Sequence, residues 1–109
     1  MAWIDISPRD AKTLLDSSKT ARLIDCREAD EFALSHIEGA ELLPLSKFPA
    51  ETAAKLAQKE QTILIYCHHG GRSARAAEYL VNLGFEDVRN LAGGIDAWSV
   101  EIDPRVPRY

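Results

Sequence analysis

The feature that most constrains the fold is the stretch Thr62–Tyr66, which reads TILIY and is almost entirely apolar, β-branched or aromatic. A run of this kind, with no alternation of apolar and polar residues, predicts a strand buried on both faces, as in the centre of a parallel sheet. Elsewhere in the chain, short apolar runs alternate with stretches of helical character. That alternation favours an α/β fold built on a parallel sheet.

Five strands can be placed on the sequence, and helical segments connect them. The strands are predicted at residues 3–6, 21–26, 41–43, 62–66 and 87–91, and the helices at residues 7–15, 29–34, 49–58, 73–83 and 95–98. Ser7 can cap the first helix, Pro8 suits its first turn, and Asp10 closes a capping box. We expect one domain over residues 1–109, in which residues 101–109 form an extended C-terminal tail.

Composition excludes several classes of function. The 109 residues carry a formal net charge of −4, which argues against a nucleic-acid binder. No segment approaches the apolar length of a membrane span, and the N-terminus lacks the features of a signal peptide. The two cysteines, Cys26 and Cys67, are therefore predicted to be free thiols in the reducing cytosol.

Cys67 stands where a parallel sheet places its ligands. It follows the buried strand directly, and the crevice of an open parallel sheet lies beyond the carboxyl ends of its strands. The loop 67–72 leads into a predicted helix at Ser73, and the free N–H groups at a helix start favour negative charge. Gly70 and Gly71 let the loop curl so that several N–H groups point to one place, and Arg72 adds a permanent positive charge. This setting predicts a reactive thiolate.

Two other readings of the same residues are open. Cys67 could be an inert buried thiol that ends a core strand, as free cysteines often are. Cys67, His68 and His69, joined by Cys26, could bind a metal, but adjacent side chains rarely converge on one ion and we expect no metal. The two histidines are then expected on the crevice rim, either as a source of positive charge below neutral pH or as solvated residues.

Three longer motifs carry a resemblance to a known family: LIDCREADEFALSHIEGA, ILIYCHHGGRSARAAEYLVNLGF and NLAGGIDAW. Together they make the chain similar to single-domain rhodaneses, over nearly its whole length. The resemblance implies a rhodanese-like fold, a five-stranded parallel sheet with helices on both faces. It also implies a six-residue active-site loop that begins at the catalytic cysteine and is followed by Ser73. The loop residues would be Cys67, His68, His69, Gly70, Gly71 and Arg72.

The resemblance also implies a reaction that needs no cofactor. The thiolate of Cys67 takes a sulfane sulfur from thiosulfate or a related donor, holds it as a persulfide, and passes it to cyanide or a thiol. Asp25 and Arg27 match a family pair expected to brace the loop. Cys26 is expected to be a small buried hydrophobe or, alternatively, a thiol that resolves the persulfide.

Different functions stay open at this point. A thiosulfate sulfurtransferase would act on small molecules, whereas a persulfide carrier would exchange sulfur with a protein partner in sulfur relay. The tail EIDPRVPRY is similar to the ends of rhodanese-like domains attached to sulfur-carrier activating enzymes. A related phosphatase needs five residues between cysteine and arginine, and here four separate Cys67 from Arg72. A binding module without chemistry is the remaining alternative, and the presence of Cys67 argues against it.

Overall fold

The computed structural model describes residues 3–48, 56 and 58–109. Its strands are β1 (Ile4–Ile6), β2 (Arg22–Asp25), β3 (Glu41–Leu42), β4 (Thr62–Tyr66) and β5 (Asp87–Leu91). They form one sheet in the order β1-β5-β4-β2-β3, and every neighbouring pair is parallel. The predicted α/β class with a five-stranded parallel sheet is thus confirmed, and TILIY is its central strand.

Within the described residues, four α-helices connect or follow the strands: α1 (Pro8–Ser17), α2 (Ala29–Leu34), α3 (Gly71–Asn82) and α4 (Gly94–Glu101). A short 3-10 helix covers Leu45–Lys47. The start of α1 confirms the predicted cap, since the Ser7 hydroxyl accepts a hydrogen bond from the N–H of Asp10 at 3.1 Å. The helix predicted at residues 49–58 falls, apart from residues 56 and 58, outside the described residues. Within the described part of the chain, no helix is both long and apolar enough to cross a membrane.

The central strand β4 divides its side chains between two hydrophobic clusters, one on each face of the sheet. Ile63 and Ile65 face the cluster that α3 covers, whereas Leu64 and Tyr66 face the cluster that α1 and α4 cover. All four side chains are fully buried. This burial on both faces explains why β4 lacks polar residues at alternate positions. Cys26 and Cys67 belong to the cluster beneath α3.

Two boundaries differ from the predictions. Helix α3 begins at Gly71 rather than Ser73, because Gly70 adopts a φ of 113° and lets the chain turn directly into the helix. Ser73 lies inside the first turn, not at the cap. The tail was predicted to be extended from residue 101, whereas Glu101 ends α4 and residues 104 and 105 form a turn. The carbonyl of Val106, a buried residue, accepts a hydrogen bond from the Ser99 hydroxyl, so the tail packs back onto α4.

Candidate active site

The two cysteines lie side by side at the carboxyl edge of the sheet. Asp25 is paired with Tyr66 in the β2–β4 register, and the N–H of the next residue, Cys26, donates to the carbonyl of Tyr66 at 3.1 Å. Cys26 and Cys67 therefore occupy neighbouring positions one step beyond the paired strands. Both are free thiols and each is only 1% exposed. The structure thus places the predicted nucleophile in a buried site with a second thiol beside it.

Three residues, Cys26, Gly70 and Ser73, donate hydrogen bonds to the sulfur of Cys67. The thiol of Cys26 contributes most to lowering the pKa of Cys67; burial opposes it, and the Ser73 hydroxyl, the Ser73 N–H and the Gly70 N–H add to the lowering. The Gly70 N–H lies 3.0 Å from Sγ and the Ser73 hydroxyl 3.4 Å. Hydrogen bonds to the charged form favour that form, so the pKa of Cys67 is well below that of an ordinary thiol.

The negative charge belongs on Cys67 rather than on Cys26. The hydrogen bond to Cys67, followed by burial, raises the pKa of the Cys26 thiol. The peptide N–H of Gly70 and the hydroxyl of Ser73 both point to the sulfur of Cys67. Cys26 thus stays protonated and acts as the hydrogen-bond donor of the pair. The sequence suggested a small buried hydrophobe or a resolving thiol at this position, and donation to Cys67 was missed.

A polar chain behind the loop orients Ser73. The Ser73 hydroxyl lies 2.5 Å from Oδ1 of Asn90, and Nδ2 of Asn90 donates to Asp5 at 3.0 Å. The bond to the Asp5 carboxylate fixes which end of the amide faces Ser73. Since a hydroxyl has a single proton, Asn90, the Cys67 sulfur and the Gly70 carbonyl at 3.1 Å compete for it, and a thiolate draws the proton towards sulfur. Asn90, a buried amide in β5, was missed by the sequence analysis. Strand β5 reads DVRNL, so Asn90 is one of three polar residues in it and nothing in the sequence singles it out.

The start of α4 supports the loop from the other side. The N–H groups of Ile95 and Asp96 donate to the carbonyl oxygens of Cys67 and His68 at 2.9 and 3.2 Å. A Cβ atom on Gly94 would lie 2.5 Å from the Cys67 oxygen and 2.4 Å from the His68 oxygen, and its φ is +64°. Only glycine fits this close approach without displacing the loop.

The permanent cation of the loop is already ion-paired. The guanidinium of Arg72 donates to both carboxylate oxygens of Glu31, at 2.6 and 2.8 Å. Arg72 is the main reason why the pKa of Glu31 is lowered to about 2, and Glu31 in turn raises the pKa of Arg72. Glu31 occupies the third position of α2, where it completes a capping box with Glu28. The sequence analysis placed Glu31 within the helix at residues 29–34 and gave it no role in the site.

The predicted pair Asp25–Arg27 lies in the interior beneath the tail. Both side chains are 0% exposed, and they form an ion pair at 2.6 Å. The Arg27 guanidinium also donates to the Ser35 carbonyl at 2.6 Å and to the Tyr109 hydroxyl at 2.7 Å. The ring of Tyr109 is another site residue that the sequence analysis missed. It stacks on His68 at a centroid distance of 4.0 Å, and so connects this pair to the loop.

The two histidines extend along the loop rim. His69 is exposed, and its ring lies 4.0 Å from that of His68. His68 is half-buried between His69 and Tyr109, and its Nε2 has no hydrogen-bond partner among the described residues. In residues 3–48, 56 and 58–109, no group of three or more His, Cys, Asp or Glu side chains is arranged to hold a metal ion.

The chain is similar to a known protein family and to several curated proteins. The family described as "Rhodanese-like domain" matches residues 7–101. The chain is 40% identical over 105 residues to "Probable adenylyltransferase/sulfurtransferase MoeZ" of Mycobacterium tuberculosis, a match that covers 95% of the chain but 26% of that protein. It is 37% identical to "Thiosulfate sulfurtransferase GlpE" of Pseudoalteromonas translucida, over 99% of the chain and 100% of that protein. The chain spans about a quarter of the length of several other curated relatives.

Solved structures share the same architecture. A rhodanese-like domain protein from Staphylococcus aureus is similar with a TM-score of 0.77 and 31% identity, over 100% of this chain and 99% of that one. The human single-domain sulfurtransferase TSTD1 is similar with a TM-score of 0.76 and 28% identity, over 89% of this chain and 96% of that one.

Proposed function

The chain belongs to the rhodanese-like domain family of sulfurtransferases, and from that premise we propose that it transfers sulfane sulfur through a persulfide on Cys67. The observation that carries the proposal is the convergence of the Cys26 thiol, the Gly70 N–H and the Ser73 hydroxyl on one sulfur atom. These donors favour the thiolate, which is the nucleophilic form of cysteine. A buried cysteine with no chemical role would not need three of them.

In the first step, the Cys67 thiolate attacks the outer sulfur of the donor. A new S–S bond forms on Cys67, and the donor's own S–S bond breaks. The bonding pair leaves with the inner sulfur group, as sulfite if thiosulfate is the donor. The Cys67 persulfide is an anion near neutral pH, so the same N–H and hydroxyl donors that favour the thiolate can also favour it.

In the second step, a thiophilic acceptor attacks the outer sulfur of the persulfide. The S–S bond on Cys67 breaks, and its electron pair returns to Cys67 as the thiolate. Cyanide would leave as thiocyanate, and a thiol would leave as a persulfide after losing its proton. Because a covalent intermediate separates the two steps, ping-pong kinetics are expected. Neither step uses a cofactor or a metal. The cytosolic location of the protein remains a prediction from the sequence.

Thiosulfate or a related small donor is one candidate source of sulfur, as the name of the relative "Thiosulfate sulfurtransferase GlpE" suggests. A persulfidated protein in a sulfur relay is the alternative. Two observations favour the alternative: the Arg72 guanidinium is engaged by Glu31 rather than free for a small anion, and the chain resembles one quarter of the larger MoeZ protein.

Steady-state turnover of thiosulfate with cyanide tests the proposal. The wild type is compared with Cys67→Ser, which keeps the size of the side chain but replaces the sulfur nucleophile. We expect thiocyanate formation to fall to background in the variant, with an unchanged thermal unfolding midpoint as the control for folding. Undiminished turnover in Cys67→Ser would show that another group carries the sulfur. If wild-type turnover of thiosulfate is negligible, loading from a persulfide donor decides between the enzyme and the carrier.

A further inference from the structure

We propose that Glu31 is a specificity-determining residue that turns the site away from small dianionic donors and towards the persulfide of a protein or peptide cysteine. The inference rests on the proposed sulfurtransferase function, and it names the class of donor. Glu31 would act through Arg72, and it need not touch the reacting sulfur.

Charge neutralisation is the first step of the argument. Of the loop residues 67–72, Arg72 alone has a side chain that is always positively charged. Its two terminal guanidinium nitrogens donate to the two carboxylate oxygens of Glu31, at 2.6 and 2.8 Å. This bidentate geometry gives the strongest pairing of a guanidinium with a carboxylate. A unit positive charge and a unit negative charge therefore lie together at the loop, and their sum is zero.

The second step is that Glu31 is held in place independently of Arg72. The Tyr109 hydroxyl donates to Oε2 of Glu31 at 2.8 Å, and the N–H of Glu28 donates to Oε1 at 3.3 Å. Tyr109 is itself fixed, since its hydroxyl accepts from the buried Arg27 at 2.7 Å. If an anion drew Arg72 away, the Glu31 carboxylate would stay behind with its charge near the incoming donor.

The third step concerns the donor. The attacking group is the Cys67 thiolate, and its repulsion of a donor grows in proportion to the donor's negative charge. Thiosulfate carries two negative charges and needs a free cation beside the loop to offset this repulsion. The sulfane group of a persulfide carries at most one. With Arg72 engaged by Glu31, the persulfide is the donor that the site accepts more readily.

The chemistry of loading from a persulfide is balanced without any further reactant. The Cys67 thiolate attacks the outer sulfur of R–S–S–H, and the S–S bond of that donor breaks. The R–S group leaves with the electron pair and takes the proton as a thiol. Cys67 keeps the outer sulfur as its own persulfide. One S–S bond forms and one breaks, so the exchange needs no oxidant or reductant.

The test measures how fast Cys67 gains sulfur in a single turnover, by rapid quenching and intact-protein mass spectrometry. The two donors are thiosulfate and the persulfide of N-acetylcysteamine, which has no charge other than that of its sulfane group. The variants are Glu31→Gln, which keeps the shape of the side chain but removes its charge, and Asp30→Asn. Asp30 is the exposed neighbour of Glu31 on α2, so Asp30→Asn removes the same formal charge without touching Arg72.

We expect the wild type to load faster from the persulfide than from thiosulfate. In Glu31→Gln the rate constant for loading from thiosulfate should rise about fivefold, because a partly exposed charge pair contributes only about 1 kcal/mol. The rate constant for loading from the persulfide should change by less than about twofold. Asp30→Asn should leave both rate constants unchanged. A damaged fold would slow both donors together, so a selective gain for thiosulfate is a readout that a structural role would not produce.

Tyr109→Phe provides a second variant in case Glu31→Gln does not fold. It keeps the ring on His68 but removes the hydroxyl that holds Glu31, so a smaller rise in the same direction is expected. The inference is overturned if the ratio of the two rate constants is the same in the wild type and in whichever of these variants is folded. A wild type that loads from neither donor would instead refute the proposed function, and the inference with it.

Discussion

Replacing Cys26 with alanine should raise the pKa of Cys67, because it removes the thiol that does most to stabilise the thiolate. A hydrogen bond to a charged group contributes about 1.5–3 kcal/mol, and a thiol is a weak donor, so the lower end applies. About 1.5 kcal/mol corresponds to a pKa increase of about one unit. The Gly70 N–H at 3.0 Å and the Ser73 hydroxyl at 3.4 Å stay in place, so the pKa should not return fully to that of a free thiol.

The rate of alkylation by iodoacetamide as a function of pH measures this pKa. The chain has two cysteines, so Cys26→Ala leaves Cys67 as the single reactive thiol. Cys26→Ser is the matched control, since its hydroxyl can donate to the thiolate and should keep the midpoint near that of the wild type. The reasoning is refuted if the midpoint in Cys26→Ala does not rise, or if the serine and alanine variants behave alike.

Three further predictions concern stability, measured by denaturant unfolding. Gly94→Ala should destabilise the fold by about 2 kcal/mol or more because its Cβ would clash with two loop carbonyls, whereas Gly71→Ala, with open space around its Cβ, should change stability by under about 1 kcal/mol; equal effects would contradict the close approach. Ser73→Ala should cost about 1–3 kcal/mol because it removes the hydroxyl that the Cys67 sulfur, the Gly70 carbonyl and the buried Asn90 oxygen share, and a neutral result would argue against those contacts. The pKa of Glu31 is lowered from 4.5 to about 2, so its stabilisation is present above about pH 4.5 and is lost as the pH falls towards 2. The wild type should exceed Glu31→Gln by about 0.5–1 kcal/mol near pH 6, after allowance for solvent screening, and the difference should vanish near pH 2; a pH-independent difference would contradict the ion pair.

The fold could be predicted largely from local pattern. TILIY has the uninterrupted apolar composition that is typical of a central strand, and β4 covers the same residues as the prediction. The boundaries that failed depend on contacts far along the chain. Helix α3 begins early because Gly70 takes a left-handed conformation against the start of α4, and the tail turns because Val106 finds a buried position.

The site divides in the same way. Cys67 and its glycine loop are contiguous in sequence, and the resemblance to a known family pointed to them directly. The residues that set the charge of the site come from distant segments: Glu31 lies 41 positions from Arg72, and Tyr109 lies 82 positions from Arg27. A single sequence contains no signal for such pairings. The role of Cys26 as a donor was missed for the same reason, since it depends on the register of β2 against β4.

The most direct test of the central claim is peptide mapping of the protein by mass spectrometry after exposure to a sulfane donor and removal of the excess. The account predicts one added sulfur atom on the peptide that contains Cys67, none on the peptide that contains Cys26, and loss of the added sulfur when cyanide is supplied. The same treatment of Cys67→Ser should add no sulfur. Sulfur found on Cys26, or gained by the Cys67→Ser variant, would contradict the assignment of Cys67 as the sulfur-carrying nucleophile.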